Sequence, residues 1–261
     1  MAILERNDTQ AVARLQMNAP ERLNALSDEM IHALQTQLDQ IATDPNIRVV
    51  ILSGAGKAFC AGHDLKQMTA GRQAKDAGRA YFADLFARCA KLMLTIQSIP
   101  QPVIAQVHGI ATAAGCQLVA TCDLAVATDT TKFGVNGVNI GLFCSTPMVA
   151  LTRVIPRKQA FEMLTTGKFI SAERAEQLGL INYAVQSDEL ETKTTELADA
   201  IAAKLGSAVK IGKQAFYKQA QLPTDQAYDY AGDVMVQNML FQDTAEGIAA
   251  FLEKRPPNWD Q

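Results

Sequence analysis

The chain has 261 residues, of which 48% are hydrophobic and 20% charged, and its formal net charge is -3. This length and composition suffice for one or two globular domains with a large core. The mildly acidic balance, without a long basic run, excludes an electrostatic groove for nucleic acid or an anionic membrane surface. No apolar run reaches the length of a membrane span, so the sequence predicts no membrane segment.

The cysteines and the first ten residues predict the compartment. The five cysteines lack the CxxC spacing of a metal site, and most lie beside small or apolar residues; they are Cys60, Cys89, Cys116, Cys122 and Cys144. This pattern predicts reduced core thiols rather than disulfides. Residues 1–10 carry Glu5 and Asp8 and contain no apolar signal-peptide core. Together these features predict a cytoplasmic protein.

The first hundred residues alternate between strand and helix patterns. Residues 12–17 predict a strand, and Ser27 precedes a helical pattern as an N-cap residue would. The continuous apolar run at 49–52 is typical of a strand buried on both faces. The glycine-rich stretch 53–64 matches neither a dinucleotide-binding fingerprint nor a P-loop. Residues 65–77 are largely polar and predict a mobile segment, and residues 82–96 predict a helix.

Residues 102–123 (PVIAQVHGIATAAGCQLVATCD) are the most informative stretch of the chain. A strand is predicted before Gly109 and a buried helix over 113–121. The first turn of a helix leaves N–H groups unpaired, and Ala113, Ala114 and Gly115 are small enough to let a substrate oxygen approach them. The stretch therefore predicts either an anion-stabilising helix terminus or a helix whose small residues serve only close packing.

The second half of the chain changes from alternation to helices. Residues 124–127 and 180–185 predict strands, and residues 132–141 predict a loop with three glycines. Helices are predicted over 146–154, 157–164, 171–178, 189–205, 209–220, 225–240 and 244–254. The alternation predicts an α/β fold with crossover connections. The helical C-terminal part is of the kind that packs against a partner subunit or caps its own core.

Four stretches in register resemble the crotonase, or enoyl-CoA hydratase/isomerase, family. They are 20–26 (PERLNAL), 58–66 (AFCAGHDLK), 102–123 and 246–256 (EGIAAFLEKRP). Residues 141–147 (GLFCSTP) further resemble the subgroup called enoyl-CoA hydratase domain-containing protein three. The resemblance implies a spiral of ββα units over residues 1–200 and a helical trimerisation region over 201–261. It also implies a homotrimer or homohexamer that acts on an acyl-CoA thioester. No metal and no separate cofactor are implied, because coenzyme A is part of the substrate.

The resemblance also implies where the thioester would lie. By position, the main-chain N–H groups of His63 and Ala114 would polarise the thioester carbonyl. Donors fixed at that oxygen stabilise an enolate-like or tetrahedral oxyanion without reorganising. Ala114 replaces the usual glycine, so its methyl group would narrow this hole. The His63 side chain is interpreted as lining the acyl pocket, with a general-acid role as the alternative.

The coenzyme A portion is placed by the same resemblance. The residues that would wrap the adenine and pantetheine are Ala61, Asp64, Leu65 and Lys66. The candidates near the phosphates are Arg22 and Lys57, although a solvated surface charge is the simpler interpretation of Lys57. The pair that a neighbouring subunit would offer to the adenine end is Phe251 and Lys254.

The chain departs from the family at the groups that perform hydration. Hydration of an enoyl thioester uses two glutamates as acid and base. At the first position the chain has Gln117, which cannot exchange a proton near neutral pH, and at the second it has Gly137, which has no side chain. The other polar candidates form no readable triad or metal set; they are Cys116, Asn136, Asn139, Cys144 and Ser145.

Two classes of function remain open on the sequence. In the first, an acyl-CoA enzyme keeps the oxyanion hole and has lost the acid/base groups of a hydratase. Decarboxylation of a malonyl-type thioester, or thioester hydrolysis with water held by Gln117 or Asn136, would then be its reaction. In the second, the protein binds CoA thioesters without turnover.

Overall fold

The computed structural model describes residues 2–259 and confirms the alternation of strands and helices. The strands are Leu4–Thr9 (β1), Val12–Met17 (β2), Val49–Gly54 (β3), Val103–Val107 (β4), Ile110–Thr112 (β5), Leu124–Thr128 (β6), Lys132–Gly134 (β7), Ile170–Ser171 (β8) and Tyr183–Val185 (β9). The helices are Asp28–Ala42 (α1), Leu65–Gly71 (α2), Arg79–Ser98 (α3), Ala114–Thr121 (α4), Ser145–Val154 (α5), Arg157–Thr166 (α6), Ala172–Leu178 (α7), Leu190–Ala202 (α8), Gly206–Gln219 (α9), Thr224–Met239 (α10) and Gln242–Glu253 (α11).

A six-stranded sheet with the order β1-β2-β3-β4-β6-β9 forms the centre of the fold. β1 and β2 form an antiparallel hairpin, and the later neighbours pair in parallel. Parallel neighbours need crossover connections, and the chain supplies them with α1, α3 and α4. β5, β7 and β8 form a second, three-stranded sheet. The chain therefore leaves the main sheet after β4 and enters the small sheet immediately before α4.

Local sequence signals explain the well-predicted elements. The Ser27 side chain accepts a hydrogen bond from the Met30 N–H and caps α1. The buried face of α1 carries apolar side chains at helical spacing: Met30, Ile31, Leu34, Leu38 and Ile41. Four consecutive residues of β3 are buried, as expected for a strand covered on both faces.

Three parts of the structure differ from the sequence-based expectations. β1 was not predicted, because its residues LERNDT are mostly polar; β1 is an edge strand in which no residue is buried and only two are half-buried. The polar segment 65–77 does not lack structure, since its first seven residues form α2. The Asp64 carboxylate caps this helix by accepting from the N–H groups of Lys66 (2.8 Å) and Gln67 (3.2 Å). The 132–141 loop contains β7 and a 3-10 turn over Asn136–Ile140.

The C-terminal helices are attached to the core by a buried ion pair. Lys213 on α9 lies 2.6 Å from the Asp123 carboxylate and also donates to the carbonyl oxygens of Ile96 and Gln101. Tyr217, one turn further along α9, donates to the other oxygen of Asp123. Asp123 itself accepts from the main chain of β4. All three ammonium protons of Lys213 therefore have acceptors, as a buried charge requires. Among the described residues, no helix is both long and apolar enough to cross a membrane.

We expect the substitution Lys213→Met to lower the free energy of unfolding by about 3 kcal/mol, because it leaves the Asp123 carboxylate partly buried without its cation. Urea unfolding followed by circular dichroism measures the change. The exposed Lys210 on the same helix provides the matched control Lys210→Met. A loss for Lys213→Met no larger than that of the control would show that the ion pair does not hold α9 in place.

Candidate active site

The segment that follows β3 is fixed against the small sheet by main-chain hydrogen bonds. The N–H of Cys60 donates to the carbonyl of Ile110 (3.2 Å), and the N–H of Thr112 donates to the carbonyl of Cys60 (3.0 Å). A Cβ at Gly115 would collide with the same Cys60 carbonyl, so only glycine allows this approach. The glycine-rich segment and the start of α4 are therefore adjacent, although about fifty residues separate them in the sequence.

Gly62 and Ala113 bring two main-chain amides close together. Gly62 has a φ of +90°, and a Cβ there would lie 3.2 Å from the Ala114 nitrogen. Ala113 has a φ of 51°, unusual for a residue with a side chain, and it begins α4 without a side-chain cap. Within residues 2–259, the N–H groups of His63 and Ala114 donate to no protein acceptor. They are thus two neighbouring, unpaired donors, one of which belongs to a helix N-terminus.

A cavity of about 350 Å³, called here the inner cavity, opens in front of these amides. Its lining is mostly apolar, with a few neutral polar groups and no aspartate, glutamate, lysine or arginine. It is lined by Ala61, His63, Leu65, Met68, Phe86, Thr112, Ala113, Ala114, Asn136, Gly137, Asn139, Ile140, Leu142, Phe143, Cys144, Ser145, Thr146 and Pro147. An apolar pocket with few convergent polar groups is typical of a site for a small organic ligand.

The imidazole of His63 lines the inner cavity as a neutral ring. Burial lowers its pKa below the ordinary 6.5. Nδ1 lies 3.4 Å from the carbonyl oxygen of Leu26, and the ring packs edge-on against Phe86 at 5.7 Å between centroids. Nε2 is buried and has no partner among the described residues. A neutral ring that donates from Nδ1 carries a lone pair at Nε2, which suits an acceptor rather than a general acid.

The two positions that are predicted to replace hydratase glutamates differ in their surroundings. Gln117 lies on α4, is 5% exposed, does not line the inner cavity, and has a buried Oε1 without a partner in the described residues. Its catalytic role stays a prediction. Gly137 does line the cavity, but a Cβ there would collide with the Leu142 carbonyl oxygen and lie 2.8 Å from the Cys144 sulfur. This backbone has no room for any side chain at position 137.

The other polar candidates divide into two groups. Asn136, Asn139, Cys144 and Ser145 line the inner cavity, whereas Cys116 does not. Burial raises the pKa of the Cys144 thiol, so it stays protonated at neutral pH. The residues that sequence reasoning missed are Thr112, Met68 and Phe86. The Thr112 hydroxyl donates to Asn136 Oδ1 at 2.7 Å and orients that amide. Their types carry no chemical signal, and only the fold brings them to the cavity.

Several residues predicted to bind coenzyme A gather beside the cavity. Ala61 lines it, as does Leu65, whose side chain is 53% exposed. Asp64 is 8% exposed, caps α2 and lies 3.7 Å from the Arg22 guanidinium. Lys66 is exposed in the first turn of α2. The structure therefore gives Asp64 a structural role, and coenzyme A contact by Arg22 and Lys66 stays a prediction.

Phe251 and Lys254 lie at the end of α11, and neither of them lines the inner cavity. Phe251 is 82% exposed, and Lys254 ends the helix in a left-handed conformation. A single chain thus does not bring this pair to the site. That agrees with the expectation that they serve a neighbouring subunit, which stays a prediction.

Comparison with known proteins identifies the family. Residues 7–261 match the family model described as "Enoyl-CoA hydratase/isomerase". "Enoyl-CoA hydratase domain-containing protein 3, mitochondrial" from Xenopus laevis is 46% identical over 95% of this chain and 83% of its own length. An enoyl-CoA hydratase structure from Mycobacterium smegmatis is 50% identical, with a TM-score of 0.95 and 99% of each chain covered. The structure of human enoyl-CoA hydratase domain-containing protein 3 is 43% identical, with a TM-score of 0.94, covering 98% of this chain and 100% of its own.

These relatives correct the predicted compartment. Five vertebrate proteins with the same name are designated mitochondrial, which contradicts the expectation of a cytoplasmic protein. Buried reduced thiols indicate only that disulfides do not form, so they could not separate the cytoplasm from another reducing compartment.

The α/β fold and the crotonase-like architecture are confirmed by these structural matches, while trimerisation through the C-terminal helices stays a prediction. The matches extend over nearly the whole chain and include the subgroup that residues 141–147 indicated. The chain therefore belongs to the enoyl-CoA hydratase/isomerase, or crotonase, family.

Proposed function

We propose that this chain is an acyl-CoA enzyme that decarboxylates a malonyl-type thioester and does not efficiently hydrate enoyl thioesters. One observation supports this most strongly. His63 and Ala114, whose N–H groups have no protein acceptor, line a cavity to which no carboxylate of residues 2–259 contributes. Such a site can stabilise an anion on the thioester oxygen, but it lacks the acid and base carboxylates that addition of water requires.

Decarboxylation needs only what this site offers. The bond between the α-carbon and the carboxylate breaks, its electron pair moves into the thioester as an enolate, and carbon dioxide leaves. The two N–H groups would hold the enolate oxygen in an apolar cavity that excludes most water. A water molecule that enters after carbon dioxide leaves would then give a proton to the α-carbon, which yields the saturated thioester and a hydroxide ion that passes to solvent. Coenzyme A is part of the substrate, so we propose no further cofactor.

The collision at Gly137 supports the exclusion of hydration. The Leu142 carbonyl and the Cys144 thiol fill the space next to the Gly137 Cα, so no carboxylate can be carried at that position without moving the 142–144 backbone. The backbone of the loop therefore excludes a glutamate at position 137, and a substitution at that position alone would not restore one. Gln117 cannot replace the first glutamate either, because an amide does not exchange a proton near neutral pH.

We expect the wild-type protein to release carbon dioxide from methylmalonyl-CoA and to leave crotonyl-CoA unhydrated when products are followed by mass spectrometry. Gly62→Ala should lower turnover about 10²-fold, because its methyl group would push the His63 segment away from Ala114 and misplace one donor. Gly179→Ala is the matched control: Gly179 also has a positive φ (+81°), but it ends α7 and its Cβ would meet no heavy atom closer than 3.9 Å.

Two results would contradict this proposal. Robust hydration of crotonyl-CoA would show that another group replaces the missing glutamates. Tight binding of acyl-CoAs without any product would favour the alternative of a non-catalytic CoA-thioester binding protein. An equal loss of activity in Gly62→Ala and Gly179→Ala would trace the effect to backbone strain and not to the paired amides.

Thioester hydrolysis is the second candidate, and the free Nε2 of His63 favours it. A water molecule that donates to Nε2 would be activated by this neutral base. Its oxygen would attack the thioester carbon, the proton would pass to Nε2, and the tetrahedral oxyanion would lie against the two amides. Collapse would then expel the CoA thiolate, which takes the proton from the imidazolium. The Asn136 amide, whose Oδ1 accepts from the Thr112 hydroxyl, would hold the water.

We expect His63→Leu to separate these two reactions. It removes the imidazole but keeps the main-chain N–H, so hydrolysis should fall at least 10²-fold while decarboxylation is largely retained. Hydrolysis by the wild type should decline only below about pH 6.5, because protonation of Nε2 removes the acceptor and burial lowers this pKa. Release of free CoA, measured with a thiol reagent, follows the reaction. Exposed His32 on α1 gives the control His32→Leu; hydrolysis unchanged in His63→Leu would refute the base role.

We further propose a homotrimer or homohexamer that forms through the C-terminal helices. α10, α11 and the residue after α10 expose large apolar side chains on a single chain, including Met235 (63%), Leu240 (80%), Phe251 (82%) and Leu252 (74%). Exposed apolar side chains of this size are typical of residues that an interface covers. This assembly would let Phe251 and Lys254 reach the coenzyme A of a neighbouring subunit.

Light scattering should give a mass three or six times that of the chain. Leu240→Glu should shift the mass toward that of the monomer, because a charge would be buried in the interface. Leu94→Glu is the control, since Leu94 on α3 is also exposed (64%) but lies outside the C-terminal helices. A monomeric wild type, or an unchanged mass for Leu240→Glu, would contradict the proposed interface.

A further inference from the structure

A second cavity continues from the inner cavity toward the surface between α2 and α3. This outer cavity has a volume of about 370 Å³ and is lined by Leu65, Met68, Thr69, Arg72, Phe82, Phe86, Ile140, Gly141 and Leu142. Five of these residues also line the inner cavity. The two cavities are therefore adjacent and are together called the passage here; an acyl group that outgrows the inner cavity would extend into the outer one.

Arg72 is the only side chain with a full charge among the residues that line the two cavities. It ends α2, where its N–H donates to the Met68 carbonyl. Its guanidinium carbon lies 5.7 Å from the centroid of the Phe82 ring, which also lines the outer cavity. This contact keeps the cation beside the passage. Within residues 2–259, no carboxylate pairs with the Arg72 guanidinium.

The distribution of charge along the passage is therefore one-sided. The inner end has the two amide donors, the middle is apolar, and the outer end has a planar cation without an anion. A purely hydrocarbon tail would use the apolar middle but would leave the guanidinium to solvent. A tail that ends in a carboxylate would use both, because a guanidinium binds a carboxylate through two parallel hydrogen bonds.

We propose that the acyl chain accepted by this site carries a carboxylate at its far end, separate from the α-carboxylate that decarboxylation would remove, and that this distal carboxylate pairs with Arg72. The inference rests on the proposed binding of acyl-CoA thioesters and adds the substrate class to it. Arg72 acts here as a specificity-determining residue that contacts the far end of the substrate and takes no part in bond breaking. The chain must be long enough for its distal carboxylate to pass Met68 and Phe86, which line both cavities.

The test compares matched pairs of CoA thioesters by isothermal titration calorimetry. The pairs are adipoyl- and hexanoyl-CoA, suberoyl- and octanoyl-CoA, and sebacoyl- and decanoyl-CoA. We expect the wild type to bind at least one ω-carboxyacyl thioester about fivefold more tightly than its monocarboxylic match, the advantage of a partly exposed ion pair. The advantage should shrink as ionic strength rises, because salt screens such pairs.

Substitutions assign the advantage to one side chain. Arg72→Gln should abolish it and leave the affinities for hexanoyl-, octanoyl- and decanoyl-CoA unchanged. Arg72→Lys should keep part of it, because a lysine retains the charge and loses the two-pronged geometry. Arg79→Gln is the matched control, since Arg79 is an exposed arginine at the start of α3 that lines neither cavity.

The outcomes separate failure of this inference from failure of the proposed function. Binding of the monocarboxylic thioesters without any preference, or a preference that persists in Arg72→Gln, overturns the role of Arg72 and leaves acyl-CoA binding intact. Absence of binding for all six thioesters overturns both. A preference that is lost in Arg72→Gln and retained in Arg79→Gln supports the inference. The salt dependence in the wild type tests it without any variant.

Discussion

The close approach of the 60–63 segment to the first turn of α4 is the constraint on which the site depends. Two glycines permit it: Gly62, with its positive φ, and Gly115, whose Cα faces the Cys60 carbonyl without space for a methyl group. The small sheet supplies the other half by pairing Cys60 with Ala111. The positions of the His63 and Ala114 N–H groups are thus fixed by the main chain of three elements: the 60–63 segment, the small sheet and α4. Side chains in the site can therefore change without moving the two N–H groups.

The electrostatic character of the inner cavity follows from this arrangement. Main-chain dipoles provide positive potential without a formal charge, and they need no proton to act. No carboxylate of residues 2–259 lines the inner cavity to cancel this positive potential. Burial lowers the pKa of the His63 imidazole and so favours its neutral form. A site with this character favours reactions in which negative charge appears on oxygen and disfavours those that need a shuttled proton. The absence of a carboxylate among the described lining residues therefore restricts the possible reactions more than any side chain that is present.

Much of the fold could be predicted from the sequence, because its signals are local. The Ser27 cap, the apolar run of β3 and the buried helix α4 each follow from residues close together in the chain. β1 could not be predicted, since an edge strand with polar side chains carries no hydrophobic pattern. α2 was missed because its start depends on the single Asp64 cap and not on apolar periodicity.

The site was predictable to a lesser extent. The amides of His63 and Ala114 could be placed by resemblance, but the absence of space at Gly137 required the position of the Leu142 carbonyl, which only tertiary structure shows. The neutral state of His63 likewise depends on burial and on the distant Leu26 carbonyl. The lining residues Met68 and Phe86 belong to different helices and carry no chemical signature. Contacts between distant segments, and not residue types, decide these features.

The short helix α4 connects two parts of the molecule that are otherwise far apart. Its first residue supplies one of the anion-binding amides, and Asp123, two residues past its end, pairs with Lys213 and Tyr217 of α9. The eight residues of α4 span about 12 Å along the helix axis. The Ala114 N–H and the carboxylate that anchors α9 therefore lie at opposite ends of one short helix.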